Sequence, residues 1–162
     1  MSELICDTTV VQYLHQIGRL HILPVIASQV AVPTAVADEL TAGHARGIAL
    51  PDLPRLAWLQ VLSPNARPAL PDASELGAGE CEVLWLAMEH SGRVAVLDDS
   101  KARQVAARMK IPMTGTLGLL LDAKRAGLIP AIAPLVGELR QCNFYITTSA
   151  RALILRQAGE AP

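Results

Sequence analysis

Short apolar runs alternate along this chain with segments whose apolar residues recur every three or four positions, the signature of buried strands interleaved with amphipathic helices. Residues 4–6 form the first strand candidate and stop at Asp7. A helix follows with Val10, Tyr13, Leu14 and Ile17 on one side, closed by Gly18. A helical turn over 21–27 and a strand over 29–32 come next. Pro33 and Thr34 then open a helix carrying Ala35, Val36 and Leu40 inward and ending at Gly43. After an irregular stretch over 44–56, residues 58–62 read as a strand, and the proline-rich 63–75 as an exposed loop, either a flexible connection or a flap over a site. The most apolar helix covers 76–90 and should be central, with Gly77 and Gly79 allowing close backbone approach at its start.

The densest stretch is 94–118. An apolar strand over 94–97 runs into Asp98 and Asp99, and Ala102, Val105, Ala106 and Met109 then give one helix face. A strand over 111–113 leads to Thr114, Gly115 and Thr116, which open a helix with Leu117, Leu120 and Leu121 buried and Gly118 keeping its first turn slim. Two covering helices, 131–140 and one from Thr147 to Gly159, complete the chain, with a reversal over 141–146 between them. Alternation of strand and helix predicts parallel pairing. Ligands of open parallel sheets sit beyond the carboxyl ends of the strands, so Asp98, Asp99, Thr114 and Thr116 belong to one rim.

Composition narrows the picture. With 162 residues, 51% of them hydrophobic, the chain can bury a substantial single core, so general disorder is excluded. Aromatics are only 3%, so base stacking is poorly supplied and any nucleic acid should be held mainly by its phosphates. The net charge of −1 hides an uneven distribution: residues 1–92 carry 4 Lys or Arg against 10 Asp or Glu, whereas residues 93–125 carry 7 against 3. A basic segment with acids at a strand end suits a site that draws in phosphate and holds a metal, although solvated helix faces are charged for no such reason. Cys6, Cys81 and Cys142 are odd in number and widely spaced, giving neither a disulfide framework nor a zinc pattern. Pro24, Gln29 and Pro33 break the longest weakly polar run, and no secretory signal is evident, so a cytoplasmic protein without a membrane segment is expected. Phosphate-loop, dinucleotide and nucleophile-elbow patterns are missing, which disfavours mononucleotide chemistry.

Acids therefore recur at two strand ends, Asp7 and Asp98, and early in two helices, Glu39 and Glu80. Each has a plain structural alternative, a helix cap for Asp7, a solvated helical face for Glu39 and a favourable helix dipole for Glu80. If all four face one rim, their repulsion calls for a cation, and an oxygen-only donor set favours Mg²⁺ or Mn²⁺ over zinc.

Asp7-Thr8-Thr9, Val32-Pro33 before Glu39-Leu40, the Gly77 to Glu80 run, Leu97-Asp98-Asp99 and Thr114-Gly115-Thr116-Leu117-Gly118 together resemble the PIN domain family, specifically a prokaryotic branch, over nearly the whole chain. The resemblance implies one domain over 1–160, a three-layer α/β/α sandwich with a central parallel sheet. It also implies a metal-dependent endoribonuclease that hydrolyses RNA phosphodiester bonds with Mg²⁺ or Mn²⁺, often as the toxin partnered by an antitoxin protein. Asp7, Glu39, Glu80 and Asp98 take the place of the family's acidic quartet, with Asp7, Glu80, Asp98 and Asp99 as metal ligands. Many PIN domains have Asp where this chain has Glu80. Thr8, Lys101, Arg103, Thr114 and Thr116 are the candidates to hold substrate, Thr116 having the alternative of a helix-opening hydroxyl. A homodimer is expected from the resemblance and the apolar content. The competing readings are a non-catalytic module of the same fold that binds RNA or an antitoxin, and a phosphoryl-transfer domain suggested by the Asp98-Asp99 pair.

Overall fold

A computed structural model describes residues 1–160. Five strands, β1 (Glu3–Cys6), β2 (Gln29–Pro33), β3 (Leu59–Leu62), β4 (Arg93–Val96) and β5 (Met113–Thr114), form one sheet in the order β3-β2-β1-β4-β5. All four pairings are parallel, with Ile5 opposite Ala31, Cys6 opposite Val96 and Val96 opposite Thr114. Eight helices flank it: α1 (Thr8–Gln16), α2 (Leu23–Ile26), α3 (Thr34–Ala45), α4 (Ala78–Glu89), α5 (Ser100–Arg108), α6 (Thr116–Arg125), α7 (Ala133–Gln141) and α8 (Thr148–Gln157).

Burial explains the layering. Leu4, Ile5 and Cys6 are consecutive and all buried, as are Val30, Ala31 and Val32, and Ala95, Val96 and Leu97. Successive strand residues point to opposite faces, so burial without alternation requires helices on both faces, which gives the expected α/β/α sandwich. Edge strand β3 is only partly covered. The central helix is α4, lying against β1, β2 and β4 with α3 and α5 beside it, while α6 packs on α1, α2 and α8. Leu84 and Leu86 of α4 are completely or almost completely buried, each contributing about 1.5–3 kcal/mol through removal from water. Among the described residues no helix is long and apolar enough to cross a membrane.

Three local expectations change. The last strand is Met113–Thr114 rather than 111–113, because Pro112 has no N–H to offer: it accepts from Ala95 N at 2.9 Å, and Thr114 accepts from Leu97 N at 2.9 Å. Gly43 does not end α3. The helix continues to Ala45 and turns at Gly47 (φ +80°); Gly43 lies within it, and its missing Cβ leaves the room that Leu50 Cδ1 occupies. The loop over 63–75 is strapped to its neighbours instead of hanging free. Asn65 N donates to Glu89 at 2.5 Å, Arg67 pairs with Glu82 at 3.0 Å and stacks over Trp85, and Trp85 Nε1 donates to the Pro68 carbonyl at 2.9 Å. Leu70 is buried, and Asp72 reaches Arg108 on α5 at 2.7 Å.

Candidate active site

The chain leaves β1 for β2 and β3 on one side, then returns to place β4 and β5 on the other. The strand order thus reverses between β1 and β4, the point where parallel sheets open a crevice beyond their carboxyl ends. Asp7 follows β1 directly, its N–H bonded to Val96 O at 3.1 Å, and Asp98 lies two residues past β4. Both stand at this crevice, on adjacent strands.

Asp7 occupies the cap position of α1 but makes no side-chain capping bond, so the helix end does not account for it. Its exposure is 5%, and its carboxyl is pushed up from the ordinary 3.8 to about 7. Burial is the chief cause; a backbone hydrogen bond from Thr8 opposes it, and Glu80, Glu39 and Asp98 add like-charge repulsion. Glu39 is exposed and accepts a hydrogen bond from Thr8 Oγ1. Glu80, in the first turn of α4, accepts from Gly77 N at 2.9 Å, and burial with repulsion from Asp99 and Glu39 moves its carboxyl upward. Gly79 keeps this meeting possible: a Cβ there would stand 2.9 Å from Val36 Cγ2 and 3.3 Å from both Asp7 Oδ1 and Glu39 Oε1.

On the β4 side, Thr116 anchors Asp98 twice, through its N–H to Oδ1 at 2.8 Å and its hydroxyl to Oδ2 at 2.6 Å. Burial raises the Asp98 carboxyl, while these bonds and the Arg103 guanidinium pull it down. Gly115 has to be small, since a Cβ would come within 2.7 Å of Asp98 Oδ1 and 3.0 Å of the Leu97 carbonyl oxygen. Gly118 is small for a parallel reason, its missing Cβ leaving room for Thr114 Oγ1. Thr116 is fully buried, so Thr116→Val removes a bond to a buried carboxylate without leaving a hole. The expected loss is about 1–3 kcal/mol at pH 7, read as a lower urea midpoint with an unchanged slope.

The remaining candidates are each held by another partner. Asp99 is exposed and caps α5, accepting from Ala102 N at 3.0 Å. Lys101 is exposed and paired with Glu75 at 2.7 Å. Arg103 donates to Leu97 O at 2.9 Å, which draws its guanidinium against the end of β4 beside Asp98. Its place at the Asp98 carboxylate is not visible in the helical spacing of α5, since the partner is a backbone carbonyl on another element. Burial pushes the Cys6 thiol up, which keeps it a protonated core residue.

Chemically, the crevice is a set of carboxylates whose charges oppose one another. The donor set fits a hard divalent cation, because three further acids, Glu80, Glu39 and Asp98, bear on Asp7 and all offer oxygen, while the protein answers it with the Thr8 N–H and a long 3.5 Å bond from the Thr9 hydroxyl. Among the described residues no three His, Cys, Asp or Glu side chains already enclose a common point. Glu39, Glu80 and Asp98 are each turned toward a hydrogen-bond donor of the protein.

The model of a PIN-domain family, DUF3368, matches residues 3–160. The chain belongs to the PIN-domain family. That membership supports a nuclease-type function for this PIN domain and agrees with its parallel sheet and helical layers. The solved structure titled "Structure of the PIN domain endonuclease Utp24" is similar, at 16% identity and a TM-score of 0.46 over 70% of this chain and 84% of that chain. A search of the curated proteins returns no match.

Proposed function

We propose that this PIN domain is a metal-dependent endoribonuclease, using Mg²⁺ or Mn²⁺ to hydrolyse RNA phosphodiester bonds, and that it serves as the toxin of a toxin–antitoxin pair. One observation carries the nuclease reading: Asp7, buried and free of a capping role, is crowded by Glu39, Glu80 and Asp98 at the strand-order reversal, an arrangement that a bound cation stabilises. The toxin role rests on the family resemblance, and a small reading frame beside this gene is the matching genomic observation.

Asp7 and Asp98 would hold the ion from adjacent strands, with Glu80 alongside and Asp99 at the rim. When bound, a divalent ion lowers the pKa of its water and offsets the charge that develops on a phosphodiester. Thr116 favours the ionised form of Asp98 against the burial that raises its carboxyl, and fixes its orientation through two bonds. Glu39, exposed and hydrogen-bonded by Thr8, would accept the proton of the attacking water. Arg103, with one N–H spent on Leu97, has others to offer a phosphate beside Asp98.

The test is cleavage of a panel of single-stranded and structured RNAs by the purified protein with 1 equivalent or more of Mn²⁺, and again after chelation. Cleavage that depends on the ion is expected. Binding of RNA with no cleavage under either condition would establish the non-catalytic binding module instead.

A further inference from the structure

A cleft of about 650 Å³ adjoins the carboxylates on the β5 side, between α5, the start of α6 and the segment entering α8. Asp98 and Gly115 line it, so it opens from the same crevice. Met113, Leu117 and Ile146 give it an apolar floor, while Arg103 and Gln104 bring hydrogen-bonding groups to the α5 wall. Tyr145 stands at its edge with 86% of its surface exposed. Its neighbour Phe144 is turned inward and held edge-on by Tyr13, ring centroids 5.0 Å apart and planes at 89°. Packing of one aromatic thereby fixes the backbone that displays the next.

We propose that this cleft is a subsite for one unpaired nucleobase flanking the scissile phosphate, stacked on Tyr145 and met along its edge by Arg103 and Gln104. The inference rests on the endoribonuclease reading and specifies how that site grips its substrate. Continuity favours it: a phosphate at Asp98 brings the adjoining nucleoside to the mouth of the cleft. Size favours it too, since the volume lies in the range of about 300–1,000 Å³ usual for small-molecule sites, whereas three turns of a partner helix occupy roughly 1,200 Å³ or more. A lining of apolar side chains with hydrogen-bonding groups from Arg103 and Gln104 matches a base, which has two π-faces and a hydrogen-bonding edge. The scarcity of aromatics in this chain argues against stacking in general; position matters more than number here, because Tyr145 lines the same cleft as Asp98.

The experiment measures binding of labelled 12-nucleotide RNAs to the Asp7→Asn protein, which leaves the RNA intact, with and without Tyr145→Ala, using intact RNA and RNAs carrying one abasic nucleotide at successive positions. Stacking of one base predicts that Tyr145→Ala weakens binding about five- to a hundredfold, that Tyr145→Phe stays close to the parent, and that an abasic nucleotide at one position costs as much as Tyr145→Ala without adding to it. Losses that multiply at every position, or RNA binding indifferent to Tyr145, overturn the subsite; indifference is also what a cleft built for a protein segment would give. Wild-type cleavage of the intact RNA, run alongside, keeps the two readings apart. Cleavage with no role for Tyr145 leaves the nuclease standing and removes the subsite, whereas Tyr145-dependent binding without cleavage removes the nuclease and leaves a base-binding cleft.

Discussion

Asp7→Asn abolishes RNA cleavage, by about a thousandfold or more, and at the same time makes the metal-free protein harder to unfold at pH 8. The two effects share a cause. Ionised Asp7 sits at 5% exposure among three other acids, so its charge costs stability for as long as no cation offsets it. Asparagine keeps the shape and the acceptor oxygen facing Thr8 but carries no charge, which removes both the repulsion and the capacity to hold a metal. The expected gain is about 1–3 kcal/mol, or roughly 3–10 °C in melting temperature for a chain of this size. Circular dichroism melts of chelated protein, paired with the cleavage assay, check both halves. A variant that is inactive and also less stable would mean that Asp7 is held by favourable contacts, against the account in which burial and repulsion make its charge costly.

The metal-free protein is also expected to lose stability as pH rises from about 4 to about 7, and to regain it on addition of Mn²⁺. The sign follows from the raised carboxyl. Between the ordinary 3.8 and about 7 the unfolded chain has released the Asp7 proton and the folded chain still holds it, so rising pH favours unfolding. Below that window the penalty is absent, and above it the penalty is complete, at up to about 4 kcal/mol if Asp7 acted alone. Asp98 and Glu80 are raised as well and act in the same direction. Glu160 works oppositely at lower pH. Burial acts to raise its carboxyl, but Lys124 and the N–H groups of Ile132 and Ala133 prevail and hold it down to about 2. Its stabilisation is present above 4.5 and is lost as pH falls toward 2. The stability maximum of chelated protein should therefore lie near pH 4–5, below the usual range, and urea midpoints across pH 3–9 measure it. Mn²⁺ at about 100 times its dissociation constant should restore about 2.7 kcal/mol at pH 8 and progressively less toward pH 4, where protons compete for the same oxygens. A flat profile without metal would mean that neither burial nor like-charge repulsion raises these carboxyls in the folded protein.

Much of this was legible in the amino-acid order, because periodicity is a local property. Runs such as Val94 to Leu97 and spacings such as Ala102, Val105, Ala106 and Met109 depend only on near neighbours, and their alternation was enough to imply parallel pairing, while the layers of helix on both faces came from the family resemblance. Element ends were less secure wherever a distant partner intervened. Gly43 reads as a helix stop but serves instead to make room for Leu50, a contact invisible in local spacing, and Pro112, with no N–H for the ladder, moved the start of β5 to Met113.

The sequence by itself determined the fold class and which carboxylates follow strands or open helices. The tertiary structure alone decided how those carboxylates are used: Asp7 left uncapped beside other acids, Asp99 bound to its own helix, Lys101 drawn off by Glu75, and Arg103 brought to the end of β4. It alone also brought Tyr145 to the cleft that Asp98 lines, some fifty positions away in the chain. The physical reason is that burial and charge repulsion depend on distances in space, and only the closed sheet brings residues from β1, β4, α3, α4 and the approach to α8 within reach of one another.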